Sequence, residues 1–488
     1  MAAFVQRPAA FLADRRAAHG DAFAADNILL KPTVFLFDET DVRKALAAEH
    51  RLVEQRWPSA FAALLGPSFQ GGKARHAFHR RAMGAAFTNE AIAAYQPFLQ
   101  RLIERRLETA RLDAEKKLQS GTGDGTVPAW TENHILAFDV AATLLLGFGD
   151  LGEDATRELH GLFRTFVQGF VLSPPLDLPI TRYGRALRAR RRIVELLSRH
   201  LEPVMARVAA EEAEQAEEGR MSGGNGTSSN NNTSTAATTA LRAFLTARDD
   251  DGRRVTLEEA KEIVLFVAFA GHETTGTSVS QALRLLDAHR PCWQKLVEEQ
   301  KRVVARHGPE LTAAAAADMP YADAVAREAL RQCPVVRFVW REALEDFAVG
   351  GGGGNGPKWR VAAGTQVVCS LSQPIDDIPL FAADADVFRP ERWLEPTAAT
   401  TTGNDDPLAS PWRLIPAPSG FLPFGAGGRV CLGLPLAVAE MRAYLAVMAR
   451  KYEFEVWWPG GKAWDGKATE AGFLVPGDMP VRLTPRRG

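Results

Sequence analysis

Cysteine is scarce in this chain: four in 488 residues, at Cys292, Cys333, Cys369 and Cys431, none in a close pair. That spacing excludes a disulfide scaffold and a structural zinc site, and points to a reducing, intracellular setting, cytoplasmic or organelle-associated. Charge of either sign is also in short supply as a surplus. A formal net charge of -1 gives no case for nucleic acid as a partner, and the basic run Arg185–Arg192 reads as the wet face of a helix. No apolar run reaches the roughly 18 residues needed to span a bilayer. The N-terminal "MAAFVQRPAAFLADRRAAHG" has no signal-peptide core and reads as the first helix of the fold. Internal repeats are missing. The Asn-x-Ser/Thr matches at Asn225, Asn231 and Asn232 fall in a low-complexity run and carry no weight.

What is present is apolar material for a large core, 46% of the residues. Apolar residues recur at three and four through Glu90–Leu118, where Pro97 should bend the helix. Two more helical runs, "RELHGLFRTFVQGFVL" and "GRALRARRRIVELLSRHLEPVMARVAAEEAEQAEE", flank a proline-rich loop. Strand-like pieces cluster at "KWRVAAGTQVVCS" and "FEVWW". The expectation is a mainly α fold with a minor β part. Residues 218–240 read as a flexible low-complexity insert, and Gly350–Gly356 and Thr397–Ser410 as smaller ones.

The most informative helix is "RVTLEEAKEIVLFVAFAGHETTGTSVSQALRLLDAHRP". Thr256 and Glu259 have capping-box spacing, and Pro291 marks the exit. Some thirty residues imply roughly 45–50 Å, long enough to cross a core. Its centre is apolar on every side up to Ala270, then turns to Gly271, His272, Glu273, Thr274, Thr275 and Gly276. Two mid-helix glycines cost about 1 kcal/mol each against alanine, and buried polar groups cost more unless satisfied. Ala270 and Gly271 would let something large approach the backbone. Thr274 could bond a carbonyl one turn back and loosen the helix. A kink with a buried polar network explains the pattern about as well.

"FLPFGAGGRVCLG", Phe421–Gly433, sets Cys431 among glycines just before a helix. The amides of a helix start stabilise a thiolate and lower its pKa. Gly425, Gly427 and Gly428 allow a tight bend and close approach to a planar ligand. Phe424 can pack by the sulfur, and Arg429 suits an anionic group. A lone cysteine is most often a small buried hydrophobe. The whole frame, Phe-Gly-x-Gly-x-Arg-x-Cys-x-Gly, is far more specific.

With these motifs the chain resembles the cytochrome P450 family, the haem-thiolate monooxygenases. "FGAGGRVCLG" resembles their haem-binding loop and "AGHETT" their oxygen-binding helix. "EALR" (Glu328–Arg331) is similar to their Glu-x-x-Arg pair and "RPERW" (Arg389–Trp393) to the segment that completes it. The resemblance runs from about Arg7 to Pro480. It implies one domain over residues 1–488 with the long helix lying over haem. It implies heme b with Cys431 as axial thiolate, and Phe424, Gly425, Arg429 and Gly433 around it. His76 and Arg80, four apart in "HAFHR", and Arg341 in "FVWREAL" resemble contacts to the haem propionates. Ala270 and Gly271 would face the cofactor, and Glu273 and Thr274 resemble the acid–alcohol pair that manages protons. Glu328, Arg331 and Arg392 resemble a structural triad. One departure is that Pro374 and Ile375 stand where many relatives carry a histidine.

Within the family, "RWPSAFAALLGPSFQGGKARHAFHRRAMGAAF" and "FVQGFVLSPPLDLPITRYGRALRARRR" are most similar to the retinoic acid hydroxylase-like branch, near sterol and abscisic-acid hydroxylases. The implied substrate is an elongated, apolar, terpenoid-like molecule, with Phe266, Phe269, Val335, Val336, Phe473 and Leu474 as candidate wall. Partners implied are O2 and a separate reductase or ferredoxin, docking near the cysteine loop and Arg75, Arg80 and Arg81. The membrane anchor and hinge of eukaryotic relatives are missing, so the protein is naturally soluble or cut from a longer product, with peripheral membrane contact left open. Two rival readings remain: a hydroperoxide-rearranging haem-thiolate enzyme, and a non-catalytic haem sensor or carrier. The intact Glu273–Thr274 pair counts against both.

Overall fold

The capping box expected at the start of the central helix is formed. The Thr256 hydroxyl accepts from the Glu259 amide at 3.3 Å, and Glu259 accepts from the Thr256 amide at 2.9 Å. With both orphan donors satisfied, the helix runs unbroken from Leu257 to Ala288. Its 32 residues extend about 48 Å at 1.5 Å per residue. His289 caps it, and Pro291 opens the following helix, Arg290–His307.

The mid-helix glycines do not break it, because each opens onto a neighbour. A Cβ on Gly276 would lie 2.8 Å from the His134 Cα, and one on Gly271 would lie 3.0 Å from the Ala141 Cβ. Both glycines are therefore crossing points for the helix Ala129–Val140 and its π-helical extension Ala141–Leu145. Along the Cβ direction of Gly271 the near neighbour is that helix.

The computed structural model describes residues 8–28, 31–66, 72–149, 151–170, 175–221, 239–350, 359–372, 384–394, 421–457 and 478–486. Helices predominate, with a minor strand part. Those that position the site are α1 (Lys73–Met83), α2 (Asn89–Gln119), α3 (Ala129–Val140), α4 (Glu153–Val167), α5 (Arg182–Met221), α6 (Leu257–Ala288), α7 (Pro320–Gln332) and α8 (Leu434–Lys451). α2 passes through Pro97 as one helix, started by the Thr88 hydroxyl on the Ala91 amide. α5 continues to Met221, four residues into the insert expected at 218–240, and the next helix starts at Ala240. Residues 222–238, the run Gly351–Gly356 and the segment 397–410 lie outside the described residues.

The main sheet has five strands: β1 (Ala22–Ile28), β2 (Lys31–Leu36), β3 (Val53–Gln55), β4 (Phe338–Ala343) and β5 (Gln366–Ser370). They lie in the order β1-β2-β5-β4-β3. β2 pairs parallel to β5, and β4 antiparallel to β5 with Arg341 opposite Val367. Because side chains alternate along a strand, this register brings Arg341 to the sheet face beside Cys369, both buried. The largest apolar cluster joins α2, α6, α7 and α8, with Leu99, Leu283, Ala326 and Tyr444 at its centre. α8 is thereby held rigidly against α6, and the loop before α8 is fixed at its mouth.

The Glu-x-x-Arg pair on α7 closes as expected. Arg331 donates to Glu328 at 2.8 and 2.9 Å, Arg392 lies 3.1 Å from the same carboxylate, and Trp393 donates to it at 2.8 Å. Arg392 is held again by Asp384 at 2.6 Å. All three triad members are buried.

Candidate haem-thiolate site

The loop before α8 is shaped by its own backbone. Gly425 and Gly427 sit at φ +74° and +66°, where side chains other than glycine are strained. A Cβ on Gly427 would come within 2.0 Å of the Leu46 carbonyl oxygen, so that glycine is required by the neighbouring helix Glu39–Ala47. The bend is closed by the Cys431 amide on the Phe424 carbonyl at 2.9 Å and the Val430 amide on Gly427 at 3.1 Å. Gly433 is the N-cap of α8, and a Cβ on it would lie 3.8 Å from the Cys431 sulfur.

Cys431 is the one cysteine of the four with an exposed surface. It is nevertheless set deep: burial pushes its thiol above the ordinary range, while the Gly433 and Leu434 amides and Arg80 pull it back. The helix amides act in the expected direction, but burial outweighs them, so the expected net lowering is corrected. Cys369, by contrast, is sealed in the sheet and pushed up to about 12. A bound metal cation deprotonates a coordinating thiol outright, and Cys431 is the cysteine placed for one.

A second partly open surface runs along α6. Phe266, Val267, Phe269, Ala270, Gly271 and Thr274 are half-buried, while Ala268, His272 and Glu273 are buried. Phe266, Val267, Ala270, Gly271 and Thr274 recur at three and four, one stripe of a helix. Thr274 donates its hydroxyl to the Ala270 carbonyl at 2.7 Å, as its position one turn on suggests. Glu273 points elsewhere. It is buried among His272, whose Nδ1 lies 3.4 Å away, and His134, whose Nε2 lies 3.8 Å away. Burial raises its carboxyl to about 8.

The cationic residues expected to meet an anionic group do converge, with a companion that sequence reasoning missed. Glu49 lies 3.1 Å from Arg429 Nε and 2.6 Å from Arg341 Nε, the second contact an ion pair without hydrogen-bond alignment. Arg80 donates to the Val430 carbonyl at 2.6 Å. His76 sits near His50, 6.0 Å between ring centres, and burial together with Arg429 and Arg80 lowers it to about 3. His76 is therefore neutral at physiological pH. Arg341 and Arg429 share one buried carboxylate, and Arg80 adds a third guanidinium held only by a backbone carbonyl, an excess of positive charge beside the exposed thiol. A planar dianion carrying an iron ion fits this set: sulfur for the metal, guanidiniums and a neutral imidazole for the carboxylates. No signal within the sequence marks Glu49; it is 292 positions from Arg341 and 380 from Arg429.

Other expectations fare differently. Arg75 pairs with Glu259 at 3.1 Å and Arg81 with Asp250 at 2.9 Å, Arg81 remaining exposed and Arg75 partly so, while Arg80 turns inward to the Val430 carbonyl. Phe269 stacks with Phe170 and meets Phe166 edge-on, each at 5.4 Å, and Phe170 meets Phe61 at 5.2 Å. Val335 is buried and Val336 half-buried. Phe473, Leu474, Pro374 and Ile375 lie outside the described residues. No helix among the described residues is long and apolar enough to cross a membrane.

Fold, loop and motif order together define the class, and the chain belongs to the cytochrome P450 family, whose sequence profile matches residues 11–477. It is therefore a monooxygenase, an oxidoreductase of the kind that uses haem and O2. It is 26% identical over 453 residues to cytochrome P450 26B1 of Xenopus tropicalis, covering 91% of this chain and 77% of that protein. It is 28% identical over 429 residues to the putative cytochrome P450 120 of Synechocystis sp., covering 87% and 81%. Among solved structures, the retinoic acid bound cyanobacterial CYP120A1 matches with a TM-score of 0.74 at 24% identity, over 98% of this chain and 95% of that one. At that identity the likeness speaks for the fold.

Proposed function

We propose that this monooxygenase holds heme b through Cys431 and hydroxylates an elongated, apolar terpenoid, with retinoids the first class to test. The observation that carries the cofactor reading is the single exposed thiol at the start of α8, set beside Arg80, Arg341 and Arg429. The cofactor, once bound, supplies oxygen activation, assisted by electron density from the thiolate.

The chain's own residues do the rest. Arg429, Arg341 and Arg80 neutralise the cofactor's carboxylates, and neutral His76 donates or accepts a single hydrogen bond there. Phe424 and the Gly425–Gly433 bend shield the sulfur. Ala270 and Gly271 keep the α6 wall low, and the Thr274 hydroxyl, parked on the Ala270 carbonyl, can turn to hold a proton. Glu273, neutral at physiological pH, is the proton reservoir one residue away. Two electrons come from a separate reductase or ferredoxin, since no flavin or iron–sulfur segment is evident in the sequence.

The substrate reading is supported by the aromatic cluster Phe61, Phe166, Phe170 and Phe269, in which rings from three other elements meet Phe269 of α6 or its neighbour Phe170. Such a wall excludes water and recognises length and apolarity, with few polar anchors. The structurally similar cyanobacterial protein was solved with retinoic acid. A spectral-shift titration of the haem-loaded protein with retinoids, apocarotenoids, sterols and fatty acids tests it. The expected result is a type I shift with retinoic acid. Binding of fatty acids with failure of every terpenoid overturns the substrate class.

A further inference from the structure

Three buried histidines gather around Glu273, and the reaction as described above uses none of them. His134 comes from α3, His160 from α4 and His272 from α6, and all three are at most 4% exposed, as is Glu273 at 3%. Their nitrogens are arranged in a row. His160 Nδ1 lies 3.3 Å from His272 Nε2, and His272 Nδ1 lies 3.4 Å from Glu273 Oε1, the second contact close but without hydrogen-bond alignment. Among the described residues no group of three or more His, Cys, Asp or Glu could hold a metal ion. The rings meet edge-on, His160 to His272 at 87° and His134 to His272 at 81°.

The partners dictate the tautomers. His134 Nδ1 lies 2.7 Å from the Trp130 carbonyl, which can only accept, so Nδ1 carries the proton. Its Nε2 lone pair then faces the Thr277 hydroxyl at 3.3 Å and Glu273 Oε2 at 3.8 Å. His160 and His272 are neutral: burial and neighbouring charges lower His160 to about 3 and His272 well below its ordinary value. The charged groups facing this nest are Arg157 and Arg164 on α4, with Glu132 of α3 paired to Arg157 at 3.1 Å. The arginines disfavour a resting imidazolium, and Glu273 holds the one mobile proton. His160 Nε2 and, one turn earlier, the Thr156 hydroxyl are buried without a hydrogen-bond partner.

We propose that His160 and His272 are the path by which Glu273 is reprotonated, so that protons reach the oxygen site through α4 and not across the substrate site. The proposal rests on the reading of Glu273 as the proton reservoir. The step balances: a proton from solvent water, taken at His160 Nε2 when α4 breathes, releases the Nδ1 proton to His272 Nε2. The His272 Nδ1 proton then passes to the Glu273 carboxylate. Each imidazole is left neutral in its other tautomer and resets by ring rotation. His134, 3.8 Å from the second carboxyl oxygen, takes no part in the row.

The test uses the haem-loaded protein and two readouts. The first needs no turnover: infrared observation of the Glu273 carboxylic-acid carbonyl, assigned by its loss in Glu273→Gln, during rapid transfer to D2O. Exchange of that proton should slow by about tenfold or more in His160→Phe and in His160→Gln, which keeps polarity but cannot relay. His79→Phe, buried but outside the row, should leave it unchanged. The second is product formed per O2 consumed. If both His160 variants exchange at the parental rate while Glu273→Gln uncouples, the relay is wrong and the reservoir reading stands. If Glu273→Gln leaves coupling intact, the reservoir reading itself falls and the relay with it.

Discussion

The Glu49 carboxylate lies 2.6 Å from the Arg341 guanidinium, and both side chains are at most 4% exposed. Arg429 shares the same carboxylate at 3.1 Å. Replacing Glu49 by glutamine leaves two buried guanidiniums without their counter-charge, a loss of the order of 3–5 kcal/mol in comparable cases. The cofactor's carboxylates can take over those guanidiniums, so the haem-free protein should lose more stability than the loaded one. Linkage then requires that hemin bind the variant more tightly. Urea denaturation with and without hemin checks this. Equal losses in the two forms would separate Glu49 from the cofactor.

Cys431→Ser should abolish the absorbance signature of a thiolate-ligated, reduced, carbon monoxide-bound haem, with the far-ultraviolet dichroism unchanged. Cys369→Ser is the contrast. Cys369 is sealed in β5 and raised to about 12, so its replacement should lower stability and leave the haem spectrum as it was. A retained thiolate spectrum in Cys431→Ser would remove the basis of the site.

Arg392→Ala removes one partner from Glu328, at 3.1 Å, and one from Asp384, at 2.6 Å, while Glu328 keeps Arg331 and Trp393 and Asp384 keeps Arg389. The expected loss is about 1–3 kcal/mol, read as a lower urea midpoint together with poor haem retention on purification. Because the triad braces α7 and not the sulfur, any haem that is retained should keep its thiolate spectrum.

The parts of the site legible in the sequence are those whose partners are near neighbours along the chain. The bend Phe424–Gly433, the capping box Thr256–Glu259, the Thr274 hydroxyl on Ala270 and the Glu328–Arg331 pair each close within one or two turns. What stayed hidden depends on distant segments meeting. Glu49 meets Arg341 and Arg429 only after the five-stranded sheet has assembled. His134 and His160 reach Glu273 from two other helices. Gly427 and Gly276 read as openings for a ligand or a kink, yet each admits a neighbouring backbone, Leu46 and His134. Glu259 and Asp250, which pair with Arg75 and Arg81, are likewise 184 and 169 positions away. Periodicity reports which face of a helix is buried and leaves open what lies across from it.

Thr274→Ala removes the hydroxyl that rests on the Ala270 carbonyl and leaves the helix backbone able to close its own bonds. Substrate affinity by spectral titration should be nearly unchanged. Product per O2 consumed should fall by about tenfold or more, the excess appearing as peroxide or water. Thr274→Ser, which keeps the hydroxyl, should restore most of the coupling. Undiminished coupling in the alanine variant would argue that Thr274 serves packing alone.

The pH dependence of stability gives a test of the buried nest that needs neither cofactor nor substrate. Glu273 is raised from an ordinary 4.5 to about 8 by burial. Between those values the folded chain keeps a proton that the unfolded chain has released, so stability falls as pH rises through the window and levels off above it. The histidines act from the other side. His134 is lowered from 6.5 to about 4 and His160 to about 3, so below 6.5 the unfolded chain binds protons that the folded one refuses, and stability falls as pH drops. Glu273→Gln keeps the shape and removes only the first effect. Its urea midpoint should exceed the parental one at about pH 8, and the advantage should shrink to nothing toward about pH 4.5. A midpoint difference that does not change across that range would mean that Glu273 is ionised in the folded protein, and that the nest holds a charge where burial argues for a neutral acid.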